Sequence, residues 1–182
     1  MFEIETLHLD AIHDALLESR VDIALAFDPA KRPGIRRKKL ATARFYVLAH
    51  DANVFPNQDA VSLADLEGRD FIALNPRGPL GQVLADHLEA AGLQPEIVAW
   101  TETYHIAKAL VGAGTGITIA DEITARSGLG GAVVMLPLEP ALEFDISLMH
   151  LTESSLSLGT RRFATHLGKT VRAMLPARQR AP

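Results

Sequence analysis

The stretch FIALNPRGPLGQVLADHLEAAGLQPEIVAW, Phe71 to Trp100, decides the fold class. Phe71 to Leu74 is an apolar run of strand length, the pattern of a buried strand. Leu80, Val83, Leu84, His87, Leu88 and Ala91 then share one helical face up to Gly92. The helix therefore runs from about Pro79, where proline suits a first turn. Pro95 opens a second strand, Glu96 to Trp100.

The same alternation continues outward. Towards the C-terminus, Ile106, Ala107, Leu110 and Val111 line a helix that breaks at Gly112-Ala113-Gly114-Thr115-Gly116 and runs into the strand Ile117 to Ala120. Asp121 caps a short helix to about Arg126, Ser127 to Gly131 reads as a loop, and strands follow at Ala132 to Leu136 and Glu143 to His150. Phe163, Leu167, Val171 and Met174 mark one face of a terminal helix. Towards the N-terminus, Ser62 to Gly68 reads as a short capped helix with a glycine stop. Phe2 to Leu7 alternates as a strand with one solvated face, and Leu9, Ile12, His13, Leu16 and Leu17 form the stripe of a helix ending near Ser19. Asp22 to Phe27 reads as a strand buried in a parallel sheet, which completes a βαβ unit. Strands alternating with helices predict an α/β fold with mainly parallel sheets.

Composition narrows the function classes. The 182 residues are 48% hydrophobic and 22% charged, enough apolar material for a compact core, and the formal charge of −4 gives no global attraction to nucleic acid. Six basic residues do cluster between Lys31 and Lys39, around Pro33-Gly34. They read either as a solvated turn and exposed strand edge or as a phosphate-binding patch. There is no cysteine, hence no disulfide framework, thiolate metal site or thiol nucleophile. With no basic, apolar leader and no long apolar span, a cytoplasmic location is the expectation.

The seven histidines are scattered, neither GxSxG nor Walker A occurs, and Asp10, Asp14, Glu102, Asp121 and Glu122 have no spacing that singles out a dyad. No metal, cofactor or enzymatic activity is expected on these grounds. The glycine run GAGTG follows a helix and enters a strand, the reverse of a dinucleotide turn, so it reads as a tight helix-to-strand connection. The informative junction is Asn75-Pro76-Arg77-Gly78-Pro79, between a strand end and a helix start. Open α/β sheets bind ligands there, and a helix start offers unpaired amides to an anion. Asn75, Arg77 and Gly78 are therefore candidate ligand-binding residues. Thr101, Thr103 and Tyr104 occupy the equivalent position after the next strand, where helix capping by a threonine is the competing reading.

Three ordered segments carry a resemblance. Leu16 to Ala26 (LLESRVDIALA), Ser62 to Gly68 with Phe71-Ile72, and Val111 to Glu122 (VGAGTGITIADE) resemble signatures of the effector-binding domain of LysR-type transcriptional regulators. Arg20 stands where glycine is common, and Ala120-Asp121 replaces a usual Leu-Pro. The resemblance implies a two-lobed fold like a type 2 periplasmic binding protein, its two mainly parallel sheets joined by two crossover strands, with an effector cleft between the lobes. Lobe I would be residues 1–47 plus 148–182, and lobe II residues 48–147. It further implies a sensor of a small anionic or aromatic metabolite, working as a homodimer or tetramer. DNA would be contacted only through a winged helix-turn-helix that this chain does not carry. The family domain also begins with a strand and helix that have no counterpart here, and a truncated product, or a partner segment filling the gap, is the expectation. A solute-binding protein or an enzyme on the same fold is the alternative.

Overall fold

The computed structural model describes residues 2–76, 79–128, 133–153 and 155–175. The chain separates into two compact units, residues 1–42 with 144–182 and residues 43–143. Two strands carry the chain across the boundary, β2 (Ile35–Ala49) and β7 (Glu143–Leu151).

In the first unit, α1 (Leu9–Leu17) leads into β1 (Ala24–Phe27). β1 pairs antiparallel with β7, Ala24 opposite Met149 and Phe27 opposite Ile146. Leu16 of α1 packs with Ala26 and Met149, and half-buried Ile12, Val21, Ala24 and Ile35 complete this core. The terminal helix α5 (Leu158–Met174) contributes buried Val171, but Met174 at its end is exposed.

Two expectations fail here. Phe2 to Leu7 is not a strand, so no βαβ unit forms around α1. A ladder needs a neighbour for its amides and carbonyls, and none of the described strands pairs with this segment. Phe2 instead stacks on Phe163 of α5, ring centroids 4.8 Å apart, and Ile4 stays exposed. The second concerns Asp22 to Phe27: only Ala24–Phe27 is strand, it stands at the end of the sheet order with Ala26 alone buried, and it runs antiparallel to its partner, since an apolar run is silent about strand direction.

In the second unit, β2 is flanked by β5 (Thr118–Asp121) and β6 (Val134–Pro137), both antiparallel. The parallel part is β3 (Asp70–Leu74) beside β4 (Glu96–Thr101), with α2 (Pro79–Ala90) between them in sequence. Ile117 extends it through a parallel bridge to Phe71. The sheets are therefore mixed, parallel where helices cross over and antiparallel along β2 and β7. Phe45, Phe55, Phe71, Ile72, Leu66 and Ile119 fill the core of this unit.

Helix α3 (Tyr104–Gly112) buries a face rotated from the one its hydropathy predicts, with Ala107 and Val111 common to both. Ile106 is exposed, whereas Tyr104, Ala107, Lys108 and Val111 are buried. These sit at i, i+3, i+4 and i+7, so the stripe is regular but includes a lysine. Burial is affordable because the Lys108 ammonium meets three carbonyls of the next helix, α4 (Glu122–Arg126), and its end: Thr124 at 3.2 Å, Ala125 at 3.0 Å and Ser127 at 2.5 Å.

Candidate functional site

The carboxyl ends of β3 and β4 lie side by side, and the helices that follow each strand start there. The ladder extends one residue past β3, where the Asn75 amide donates to the Thr101 carbonyl at 2.9 Å. Asn75 Nδ2 donates to Glu102 Oε1 at 3.0 Å, across the two strand ends. The first turn of α2 presses against this point. A β-carbon on Gly81 would come 2.5 Å from the Asn75 carbonyl oxygen, so only glycine lets the helix start this close.

On the β4 side, Thr101 is buried and its hydroxyl donates weakly to the Ala73 and Thr103 carbonyls, at 3.5 and 3.4 Å. Thr103 is the N-cap of α3, its Oγ1 accepting from the Ile106 amide at 3.4 Å. The capping reading of Thr103 is thus correct, and it leaves the neighbouring helix-start amides directed outward. Tyr104 opens the helix. Its side chain is buried, yet its hydroxyl has no hydrogen-bond partner among the described residues. Burial first, and the negative charge of Asp121 second, push its ionisation well above the ordinary tyrosine range, so the group is a neutral hydroxyl at any physiological pH. Asp121 is itself occupied as the N-cap of α4, accepting from Ile123 and Thr124 at 3.0 Å each.

Four predicted residues, Asn75, Thr101, Thr103 and Tyr104, therefore gather at one sheet edge. Arg77 and Gly78 lie outside the described residues. Sequence reasoning missed Glu102 as the partner of Asn75, and missed Gly81 as the residue that sets the approach of α2. A glycine in the first turn of an amphipathic helix was the available signal for the latter. Among the described residues, no three His, Asp or Glu side chains converge as metal ligands. A separate concavity of about 660 Å³ in the same unit is lined by Arg44, Phe45, Tyr46, Ser62 and residues 137–141. It shares no residue with the strand edge, and much of its wall is Pro137, Leu138, Pro140 and Ala141.

Comparison with known proteins places this geometry in a family. The family model described as the LysR substrate binding domain matches residues 2–172. The chain is 30% identical over 171 residues to the HTH-type transcriptional regulator DgcR of Pseudoalteromonas sp, covering 93% of this chain and 58% of that protein. Among solved structures, HinK, a LysR family transcriptional regulator from Pseudomonas aeruginosa, superposes with a TM-score of 0.76 at 21% identity, covering 92% of this chain and 59% of that one. The regulatory domain of CcmR from Synechocystis PCC6803, solved in complex with 2-PG, superposes with a TM-score of 0.75 at 14% identity, over 92% of this chain and 81% of that one. The chain spans about three-fifths of the length of the regulators DgcR and HinK. With residues 2–172 of its 182 matched to the family model, the chain belongs to the LysR substrate-binding domain family.

Proposed function

We propose that this chain is the effector-sensing part of a LysR-type transcriptional regulator, and that it holds a small anionic or aromatic metabolite at the carboxyl edge of β3 and β4. One observation carries the placement. Asn75, Thr101 and Thr103 gather where two parallel strands end, and α3 begins there with Tyr104. A strand edge of this kind, with a helix start beside it, supplies amides and hydroxyls to carboxylate or phosphate oxygens. The 660 Å³ concavity is the poorer candidate, because it shares no residue with the strand ends and four of its nine lining residues, Pro137, Leu138, Pro140 and Ala141, offer no side-chain hydrogen bond.

The chain works as a binding module rather than a catalyst. Glu102 is tied to Asn75 and Asp121 to α4, which leaves neither carboxylate poised as a general acid or base. Its output is a population shift: an effector that binds one conformation of the regulator better than another moves the equilibrium by that difference in affinity. DNA contact belongs to a helix-turn-helix segment of the whole regulator, which works in the cytoplasm as a homo-oligomer.

The test is a thermal-shift screen of carboxylate- and phosphate-bearing metabolites, followed by calorimetric titration of the best hit. Asn75→Ala and Arg77→Ala should each weaken binding tenfold or more, since a hydrogen bond to a charged group contributes roughly 1.5 to 3 kcal/mol. The melting temperature of Asn75→Ala should stay near the parent's, because its side-chain hydrogen bond to Glu102 lies at the surface. Unchanged affinity in both variants would place the effector elsewhere.

A further inference from the structure

We propose that the first unit carries a second anion site, built for a small phosphate monoester, in the loop between β1 and β2. Between Lys31 and Lys39 the sequence has six basic residues and no acidic one, in a chain whose net charge is −4. The structure shapes part of this run into a concavity of about 330 Å³, lined by Ala30, Lys31, Arg32, Ile35, Arg37 and Met149. That volume is at the small end of ligand pockets. Three cations stand around an apolar base of half-buried Ile35 and buried Met149.

The loop is fixed at both ends. Asp28 exchanges two hydrogen bonds with Asp145, its amide donating to the Asp145 carbonyl at 2.8 Å and its Oδ1 accepting from the Asp145 amide at 2.9 Å. At the other end, Gly34, with φ of 79°, accepts from the Thr152 amide at 2.9 Å. Arg37 Nη1 donates to the Pro29 carbonyl, which holds the guanidinium over the loop and leaves its other donors available.

The nearby carboxylates do not neutralise the cluster. Asp145 Oδ1 pairs with Lys39 and accepts from Thr42, and Asp28 accepts from the Asp145 amide, which orients its carboxylate without cancelling its charge. Asp10 alone reaches the rim, 3.6 Å from Arg32 Nη2. Among the described residues Lys31 has no carboxylate within ion-pair distance. Even with Asp10, Asp28 and Asp145 counted in full, the six basic residues of the run leave an excess of positive charge, the sign that a phosphate monoester dianion requires. The arginine forks supply the paired donors that phosphate oxygens accept. The concave form and apolar base favour a compact organic phosphate over the extended backbone of a nucleic acid.

Calorimetric titration with inorganic phosphate at low ionic strength tests this. Saturable binding is expected, weakened tenfold or more in Lys31→Ala/Arg32→Ala and tightened several-fold in Asp10→Asn. Arg161→Ala/Arg162→Ala on α5 removes the same charge elsewhere and should change affinity less than twofold. The proposal is overturned by the absence of saturable binding, by equal weakening in both double variants, or by a short DNA duplex that displaces phosphate through the same residues. Because Asp10→Asn acts in the opposite direction, a loss of fold in the double variant would not hide the answer. The site shares no residue with the β3–β4 edge, so either can fail alone.

Discussion

Gly116 leaves no room for a side chain: a β-carbon there would lie 2.4 Å from the Asp70 carbonyl oxygen. That closeness has a purpose, since the next residue, Ile117, donates to the same oxygen at 2.8 Å and accepts from the Ile72 amide. Gly116→Val must push this segment off β3, and we expect a loss of about 3 kcal/mol or more, read as a large drop in melting temperature. A variant that melted with the parent would refute the packing. The GAGTG run was legible as a tight turn, but not which glycine does what. Gly114 is needed for its φ of 78° and Gly116 for space, and only coordinates separate the two causes. His13 shows the same division. Its place on the apolar stripe of α1 was legible, whereas the lack of a partner for either buried ring nitrogen was not. Burial, and then the charge of Arg32, hold its pKa below the ordinary 6.5. The unfolded chain therefore takes up the proton first, so stability present above about pH 6.5 is lost as pH falls towards the folded-state value. His13→Leu should match or exceed the parent's melting temperature at pH 7.5, because no hydrogen bond is lost. It should also lose less on acidification to pH 5. A parallel decline of the two proteins would show that His13 is not the titrating group.

At the level of elements, α4 is the most dependent piece. With five residues it is too short to persist alone, and it is held at both termini from outside its own ladder. Asp121 caps its start, and the Lys108 ammonium caps its last carbonyls. Lys108→Met keeps the shape of the side chain but leaves those carbonyls unsatisfied. We expect a loss of roughly 2 to 3 kcal/mol, measured as a lower urea midpoint with an unchanged slope. An unchanged midpoint would mean that solvent replaces the ammonium without cost. The true face of α3 was hidden for the same reason. Hydropathy counts lysine as polar, and nothing in the sequence says that carbonyls of another helix will meet it. Phe2 to Leu7 erred in the opposite sense: its alternation was real, but a strand is a relation between two segments and cannot be read from one. The elements around Phe71 to Trp100 were predicted closely, because there a helix, its glycine stop and two apolar runs all agree.

For the whole molecule, alternation of strands and helices was enough to reach α/β, and three ordered segments were enough to reach the family. The antiparallel pairing of β2 and β7 with their neighbours was not legible, because an apolar run is silent about strand direction. For the candidate site, the sequence indicated that Asn75 and the segment Thr101 to Tyr104 lie at neighbouring strand ends before α2 and α3, and the fold brings those strand ends together. Its chemistry was less legible, since the Asn75–Glu102 pairing and the unpartnered Tyr104 hydroxyl depend on what folding brings together. The central claim is that the effector sits at this edge. A crystal structure with the tightest-binding carboxylate or phosphate ligand from the screen tests it directly. The account predicts ligand density within hydrogen-bond distance of Asn75 and of the amides at the start of α3. Density confined to the concavity beside Arg44 and Tyr46, with the β3–β4 edge empty, would contradict it.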